Sequence, residues 1–256
     1  MSTPTTVLAD WADYFFPPCC PYCAAPAHET DTRSGAGCEQ HRLVCAAVPR
    51  CERCARRLPA AGHSCLGCAA AKGIERGVTL GDYDQEALRA WILAYKHGGR
   101  VDLARVLGPL LRAALGEADP SGPVEVLVPV PLHLTRRLER GYNQALVLAQ
   151  AVARAGPRRF VVRQVLRRVR ATVPQGSTDP LGCTAALDRH TNVRGAFAPS
   201  RPARWSAASV RGRSVWLVDD VWTSGATLEE CASMLHSMGA QRVQALVLAR
   251  AAHRVP

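Results

Sequence analysis

The hydrophobic pattern of the chain takes on a helix-and-strand rhythm only after about residue 80. Leu88, Trp91, Ile92 and Tyr95 recur at i, i+3, i+4 and i+7. That spacing predicts a helix capped by Asp82 or Asp84, running to about His97 and ended by Gly98 and Gly99. Val101–Leu115 repeats the helical period. Val124–Val130 is a short apolar run bounded by prolines and predicts a buried strand. Asn143–Arg154 predicts a helix that stops at Gly156 and Pro157, and Phe160–Leu166 a strand. Residues 171–210 are rich in Pro, Gly, Ser and Thr and predict mostly loop. Val215–Val218, Leu228–Met238 and Val243–Leu248 then predict strand, helix and strand. Strands alternating with helices imply an α/β fold with a mainly parallel sheet flanked by helices on both faces.

The region before residue 80 follows a different rule. Nine of the 11 cysteines lie between Cys19 and Cys68. Cys51-Glu-Arg-Cys54 and Cys65-Leu-Gly-Cys68 are two C-x-x-C turns, and Cys20-Pro-Tyr-Cys23 is a third. Such a turn lets two thiolates reach one metal, and two turns complete a tetrahedral zinc site. Cys51, Cys54, Cys65 and Cys68 suit one site; Cys20 and Cys23 then need partners among Cys38, His41 and Cys45, unless pairs from different turns cross over. A site closed by thiolates is structural, and supplies folding energy to a segment poor in apolar residues. The expected division is a Cys-rich zinc-ribbon module over 1–76 and a ligand-binding domain over 77–256.

Composition excludes several classes. At 256 residues the chain is long enough for a sizeable core, and 48% apolar against 21% charged residues rules out disorder and collagen-like repeats. No apolar run approaches a membrane span. Asp10 and Asp13, with no basic start, argue against a secretory signal, so a cytoplasmic protein with reduced thiols is expected. The net charge of +11 is unevenly placed: residues 1–80 hold eight basic and seven acidic side chains, so the excess belongs to the second part.

The chemistry concentrates in Val215-Trp-Leu-Val-Asp219-Asp220-Val-Trp-Thr223-Ser224-Gly225-Ala226-Thr227, directly before a helix. A buried strand delivers two carboxylates to the carboxyl edge of a sheet, where α/β proteins bind ligands. Backbone N–H groups at the helix start, with Thr223, Ser224 and Thr227, make a phosphate cradle, and Gly225 lets the backbone approach the anion. Carboxylates beside a phosphate cradle fit a ribose 5-phosphate.

This stretch resembles the 5-phosphoribosyl 1-pyrophosphate (PRPP) motif of type I phosphoribosyltransferases. The resemblance implies that Asp219 and Asp220 hold the ribose hydroxyls and that Thr223, Ser224, Gly225, Ala226 and Thr227 hold the 5-phosphate. Trp222 departs from the family's smaller residue and is expected to narrow or cover the site. Further segments, Tyr95-Lys96-His97-Gly98-Gly99, Val128-Pro-Val-Pro131-Leu-His133, Arg136 to Gln144, Arg170 to Gln175 and Arg189 to Phe197, with the N-terminal cysteine pairs, resemble the ComF family of competence-associated phosphoribosyltransferase-like proteins. The resemblance runs from about Phe15 to Leu248. It implies a pyrophosphate grip at Arg137, Arg140 and Gly141, a mobile loop over Thr172–Asn192, and Mg²⁺ bound together with PRPP. It implies metal ligation by Cys20, Cys23, Cys45, Cys51, Cys54, Cys65 and Cys68.

Lys96 and His97 read equally well as a solvated helix end. Tyr142 and Trp91 read as core, and Asn143 and Gln144 as the beginning of a helix. Two functions follow. One is transfer of a phosphoribosyl group from PRPP to an unidentified acceptor, with release of pyrophosphate. The other is binding of PRPP, a nucleotide or single-stranded DNA without turnover, in DNA uptake beside a competence helicase. Ten arginines between Arg136 and Arg170, opposed by Glu139, favour the second. No residue in the sequence identifies a catalytic group or the acceptor.

Overall fold

The fold is taken from a computed structural model that describes residues 20, 22–24, 43, 48–65, 68, 71–116, 124–133, 141–156, 160–170, 193–200 and 202–251. Seven strands occur among these residues: β1 (Arg76–Asp82), β2 (Glu125–Pro129), β3 (Phe160–Val162), β4 (Leu166–Arg168), β5 (Phe197–Pro199), β6 (Ser214–Trp222) and β7 (Arg242–Arg250). Five α-helices accompany them: α1 (Glu86–His97), α2 (Ala104–Ala114), α3 (Gln144–Arg154), α4 (Ala203–Val210) and α5 (Ala226–Ser237). The main sheet has the order β1-β7-β6-β2-β3. All four of its pairings are parallel. β4 and β5 form a separate antiparallel pair.

The apolar strands are buried on both faces. Alternate residues of β6 serve different cores: Val215 and Leu217 pack with Leu228, Cys231, Ala232 and Leu235 of α5. Trp216 and Val218 pack with Trp91, Leu107, Leu148 and Val152 from α1, α2 and α3. This two-sided burial is why the central strands read as unbroken apolar runs.

The helical periodicity held at α1, where Leu88, Trp91, Ile92 and Tyr95 are all buried. Its cap is Gln85, with no side-chain hydrogen bond, and neither Asp82 nor Asp84 serves. Asp82 is engaged elsewhere, in a two-bond pair with Arg50. The second helix begins as a 3-10 turn over Val101–Leu103. The run Phe160–Leu166 is two short strands in different sheets, because the chain leaves the edge of the main sheet after Val162. The expected loop over 171–210 holds β5 and the amphipathic α4, whose Ser206 and Val210 are buried. Residues 171–192, including the expected mobile loop and Cys183, lie outside the described residues.

β1 escaped the pattern because glycines interrupt it. Val78 and Leu80 pack into the α1 core, Gly77 lies against Trp222 and Ala55, and a Cβ on Gly81 would meet Gln85 and Leu88 at the start of α1. A Cβ on Gly77 would stand 2.8 Å from Trp222 Cζ3 and 3.1 Å from the Arg53 carbonyl oxygen. Only glycine lets the cysteine segment and β6 approach this closely.

Candidate functional site

Strand order places a crevice between β2 and β6. From β2 the chain passes through α3 to β3 on one side; from β6 it passes through α5 to β7 on the other. Connections that diverge from adjacent strands open a gap at their carboxyl ends, which is where open α/β sheets take ligands. β2 accompanies β6 as far as Val218, to which Val130 N–H still donates at 2.9 Å. Beyond that point Asp219 and Asp220 have β7 on one side and the crevice on the other. The strand thus continues through the acidic pair to Trp222, four residues past the expected end.

Because successive strand residues face opposite ways, the two carboxylates meet different surroundings. Asp220 faces α1 and pairs with Lys96 Nζ at 2.9 Å, both side chains being largely shielded. Asp219 faces α5, where its charge and, more strongly, burial push up the Cys231 thiol. Asp219 itself is pushed up to about 7, chiefly by burial and next by the negative charge of Asp220. The Asp220 N–H, which donates to Asp219 Oδ1 at 2.9 Å, opposes the rise, as do Lys96 and Arg168. A carboxyl poised near neutrality at a crevice is a functional-site signature.

Lys96 is therefore more than a solvated helix end. Tyr95 Oη donates to the Gln144 carbonyl at 2.7 Å, Gln144 Nε2 to the Lys96 carbonyl at 3.2 Å, and Tyr142 Oη to the Tyr95 carbonyl at 2.5 Å. Asn143 accepts from Ala145 N–H at 3.0 Å as the cap of α3 and donates to the Val130 carbonyl at 3.2 Å. Tyr95–Lys96 and Tyr142–Gln144 thus lock together at the end of β2. The compositional hint was available, since Lys96 is one of two lysines among 32 basic residues.

The loop after β6 is short. Gly225 takes φ +99° as the residue before α5, a conformation that favours glycine. Ser224 Oγ accepts from Ala226 N–H at 3.4 Å. Thr223, Ser224 and Thr227 are half-buried around the start of a 12-residue helix. Trp222 does not cover this loop. It is buried in the α5-side core against Gly77, with the Arg250 guanidinium 5.1 Å above its ring. Of the expected pyrophosphate grip, Gly141 is described, with φ +75°, while Arg137 and Arg140 fall outside the described residues.

The four thiols of Cys51, Cys54, Cys65 and Cys68 converge, all their sulfurs lying within 4.8 Å of one another. The closer pairs are 3.0 Å (Cys51–Cys68), 3.5 Å (Cys54–Cys65) and 3.6 Å (Cys54–Cys68). Tetrahedral coordination with metal–sulfur bonds of about 2.3 Å spaces sulfurs by about 3.8 Å, so the cluster can hold a metal ion. Burial and neighbouring thiols push Cys54 and Cys68 up. Burial would raise Cys51 too, but bonds from Cys68 and from the Cys54 and Arg53 backbone draw it down to about 7. The cluster packs against the α5-side core.

Cys20 and Cys23 lie elsewhere, beside α1: Tyr22 stacks on Trp91 at 6.1 Å and its carbonyl accepts from Arg100. Their turn nevertheless copies the first. Ala24 N–H donates to the Cys20 carbonyl and Ala55 N–H to the Cys51 carbonyl, both at 2.8 Å. Ala24 (φ 60°) and Ala55 (φ 56°) are the non-glycine residues at positive φ among the described residues. Cys45, Cys38 and His41 lie outside those residues.

Comparison with known proteins agrees with this geometry. The phosphoribosyl transferase domain family matches residues 144–256, from α3 to the end of the chain. Competence protein F of Haemophilus influenzae is 30% identical over 238 residues, covering 91% of this chain and 96% of that protein. The chain belongs to the ComF family. Another relative, the DNA utilization protein YhgH of Salmonella typhi, is 32% identical over 82% of this chain and 87% of its own length. YhgH of Escherichia coli K12 is 31% identical over 69% and 72%. Among solved structures, an allosteric regulatory enzyme of purine biosynthesis aligns with 61% of this chain and 30% of its own at 18% identity and TM-score 0.35. As a ComF-family protein the chain carries a phosphoribosyltransferase-type domain, with the acidic pair and the Gly225 loop inside the matched region. Among the described residues no helix is long and apolar enough to cross a membrane.

Proposed function

We propose that this ComF-family protein binds PRPP in the crevice between β2 and β6 and transfers its phosphoribosyl group to an acceptor, releasing pyrophosphate. The observation that carries this reading is the acidic pair at the topological switch point, followed at once by the Gly225 loop and the start of α5. Ribose hydroxyls donate to Asp220, taking the place of Lys96, and to Asp219 as it ionises. The 5-phosphate accepts from Thr223, Ser224, Thr227 and the N–H groups around Gly225 and Ala226, where the helix dipole favours an anion. Arg137 and Arg140, with the turn at Gly141, bind the pyrophosphate. Mg²⁺ bound together with PRPP would supply positive charge to the leaving pyrophosphate. The bond from the anomeric carbon to the pyrophosphate oxygen breaks, that carbon bonds the acceptor, and the protein contributes positioning and charge.

The same reading divides the chain into a Cys-rich module over 1–76 and the phosphoribosyltransferase-like domain over 77–256, and places the protein in the cytoplasm. Cys51, Cys54, Cys65 and Cys68 hold a structural zinc. Cys20 and Cys23, in the same turn geometry, begin a second site with Cys45 as a third ligand. The test is calorimetric titration with PRPP and Mg²⁺, alongside pyrophosphate release over a panel of nitrogen bases and metal analysis of a Cys51→Ser, Cys54→Ser variant. Binding that Asp220→Ala abolishes supports the site; affinity unchanged by Asp219→Ala plus Asp220→Ala refutes it. Binding without pyrophosphate release would leave a PRPP-binding protein without turnover.

One surface favours DNA as a second partner, in keeping with a competence role beside a helicase. Arg163, Arg167 and Arg170 are exposed near β4, and Trp205 on α4 is 64% exposed with Arg204 beside its ring. Exposed rings and guanidinium groups bind single strands by stacking and phosphate neutralisation.

A further inference from the structure

The end of β7 carries a charge that the proposed chemistry does not use. Arg250 is buried to 3% exposure at the last position of β7, directly after the buried apolar run Ala245 to Ala249. Its register partners are Trp222 on β6 and Asp82 on β1, so it lies between the end of the acidic strand and the edge where the cysteine segment docks. Its side-chain hydrogen bonds go to backbone carbonyls. Nε donates to Cys54 at 3.1 Å; Nη1 donates to Trp222 and to Thr223, and to Ala251 at 3.3 Å. A buried guanidinium satisfied by carbonyls is costly compared with an apolar side chain of similar size, so the position calls for a reason.

Geometry supplies one. In a trans peptide the C=O and the following N–H point in opposite directions. Two successive carbonyls, of Trp222 and Thr223, converge on one nitrogen of Arg250. The N–H groups of Thr223 and Ser224 therefore face away from the guanidinium, as a pair aimed together, the arrangement of an anion-binding nest. The cation also polarises those peptides toward an anion on their far side. The Nε partner is the carbonyl of Cys54, one of the four converging thiols. One side chain thus spans the metal turn and the loop. Around it the cysteine segment is stapled by Arg53 Nη2 to the Ala71 carbonyl and by Gly77 N–H to the Glu52 carbonyl. Arg50 binds Asp82 and the Ala55 carbonyl, with no bond to the loop.

We propose that Arg250 is a positioning residue that couples the four-thiol metal site to the phosphate loop, so that metal at Cys51, Cys54, Cys65 and Cys68 and an anion at 223–227 each strengthen binding of the other. This rests on the PRPP reading of the loop. Metal closes the turn and fixes the Cys54 carbonyl; the carbonyl fixes the guanidinium; the guanidinium aims the two N–H groups. A coupling of this kind is reciprocal: the factor by which PRPP tightens zinc equals the factor by which zinc tightens PRPP.

The experiment uses the full zinc-loaded chain with PRPP and Mg²⁺. Zinc loss to a coloured chelator is followed with and without PRPP, and PRPP affinity is measured by calorimetry before and after zinc removal. PRPP should tighten zinc about tenfold against the chelator at equilibrium, and zinc removal should weaken PRPP by the same factor. Arg250→Gln should weaken PRPP about tenfold and abolish the protection of zinc. Arg250→Lys, which keeps the charge but cannot reach both the Cys54 carbonyl and the loop carbonyls, should restore little of it. Arg50→Gln, which loosens the same segment at Asp82 and the Ala55 carbonyl but touches neither the loop nor the Cys54 carbonyl, serves as a control and should keep the coupling. If an Arg250 variant does not fold, zinc release from the wild type still decides: PRPP binding with no change in zinc loss overturns the coupling and leaves the PRPP reading standing. A zinc-loaded wild type that does not bind PRPP overturns both, as does a chain purified without metal for the coupling. If Arg50→Gln removes the coupling as fully as Arg250→Gln, the docked segment as a whole carries it and the assignment to Arg250 falls.

Discussion

Replacing Asp219 with asparagine should make the protein more stable at alkaline pH and no more stable in acid. In the unfolded chain this carboxyl titrates near 3.8; in the fold burial and Asp220 push it up to about 7. Between those values the native state holds a proton that the unfolded state has lost, so stability falls as pH rises. The contribution is fully present below 3.8 and gone above 7. Three units at 1.36 kcal/mol each make the loss on the order of 4 kcal/mol. Asparagine keeps the acceptor for the Asp220 N–H but cannot ionise, so the variant escapes that loss. Urea unfolding of wild type and Asp219→Asn near pH 4 and near pH 8.5 measures the difference. Near parity in acid and a gain on the order of 4 kcal/mol in alkali are expected. A gain that is the same at both pH values, or a variant less stable in alkali, would mean that Asp219 ionises normally in the fold. The same substitution should weaken PRPP binding, a trade of function for stability expected where a site holds adjacent charges against their burial.

Lys96→Met removes the cation from Asp220 and one of the charges that restrain Asp219. Stability above pH 7 should drop by about 1–3 kcal/mol, and the pH at which Asp219 ionises should rise; an unchanged pH profile would show that the pair carries no weight. Gly77→Ala forces a methyl against Trp222 and the Arg53 carbonyl, so a loss of about 1–3 kcal/mol in urea unfolding is expected, with faster zinc loss as the cysteine segment is pushed away. For single-stranded oligonucleotides, changing Arg163, Arg167 and Arg170 together to Gln should lower the slope of log K against log salt by about two; an unaltered slope removes those residues from any DNA contact.

Much of the architecture was legible because burial on one stripe or on both faces leaves a strong local imprint. The period of α1 and the apolar runs of β2, β6 and β7 are such imprints. Elements with little apolar content left none. β1 is broken by Gly77 and Gly81, which exist to admit the cysteine segment and Gln85, and α4 hides in a stretch of Pro, Ser and Ala. The site shows the same division. Asp219, Asp220 and the hydroxyls of the following loop stand next to each other in sequence. Lys96 and Arg250 come from distant segments: Lys96 stands out as one of two lysines, but nothing local says that it meets Asp220, and nothing local distinguishes Arg250 from the chain's other arginines. Trp222 misled for a related reason: its place beside the loop in sequence says nothing of which face its ring takes, and the ring turned into the core.

The chemistry available could be read along the chain: paired carboxylates, a hydroxyl-rich turn before a helix, thiols in repeated C-x-x-C turns, and a basic excess outside the cysteine segment. These are properties of residue type and short spacing, which the chain cannot conceal. Tertiary structure decided how the pieces act on one another. The pleat of β6 sends Asp220 to Lys96 and Asp219 toward Cys231, so one carboxylate is paired while burial drives the other toward neutrality. Strand order opens the crevice between β2 and β6. The docking of the cysteine segment on β1 brings the Cys54 carbonyl to Arg250, 196 residues away in sequence. Separations of that length are closed by packing, and local pattern carries no record of them.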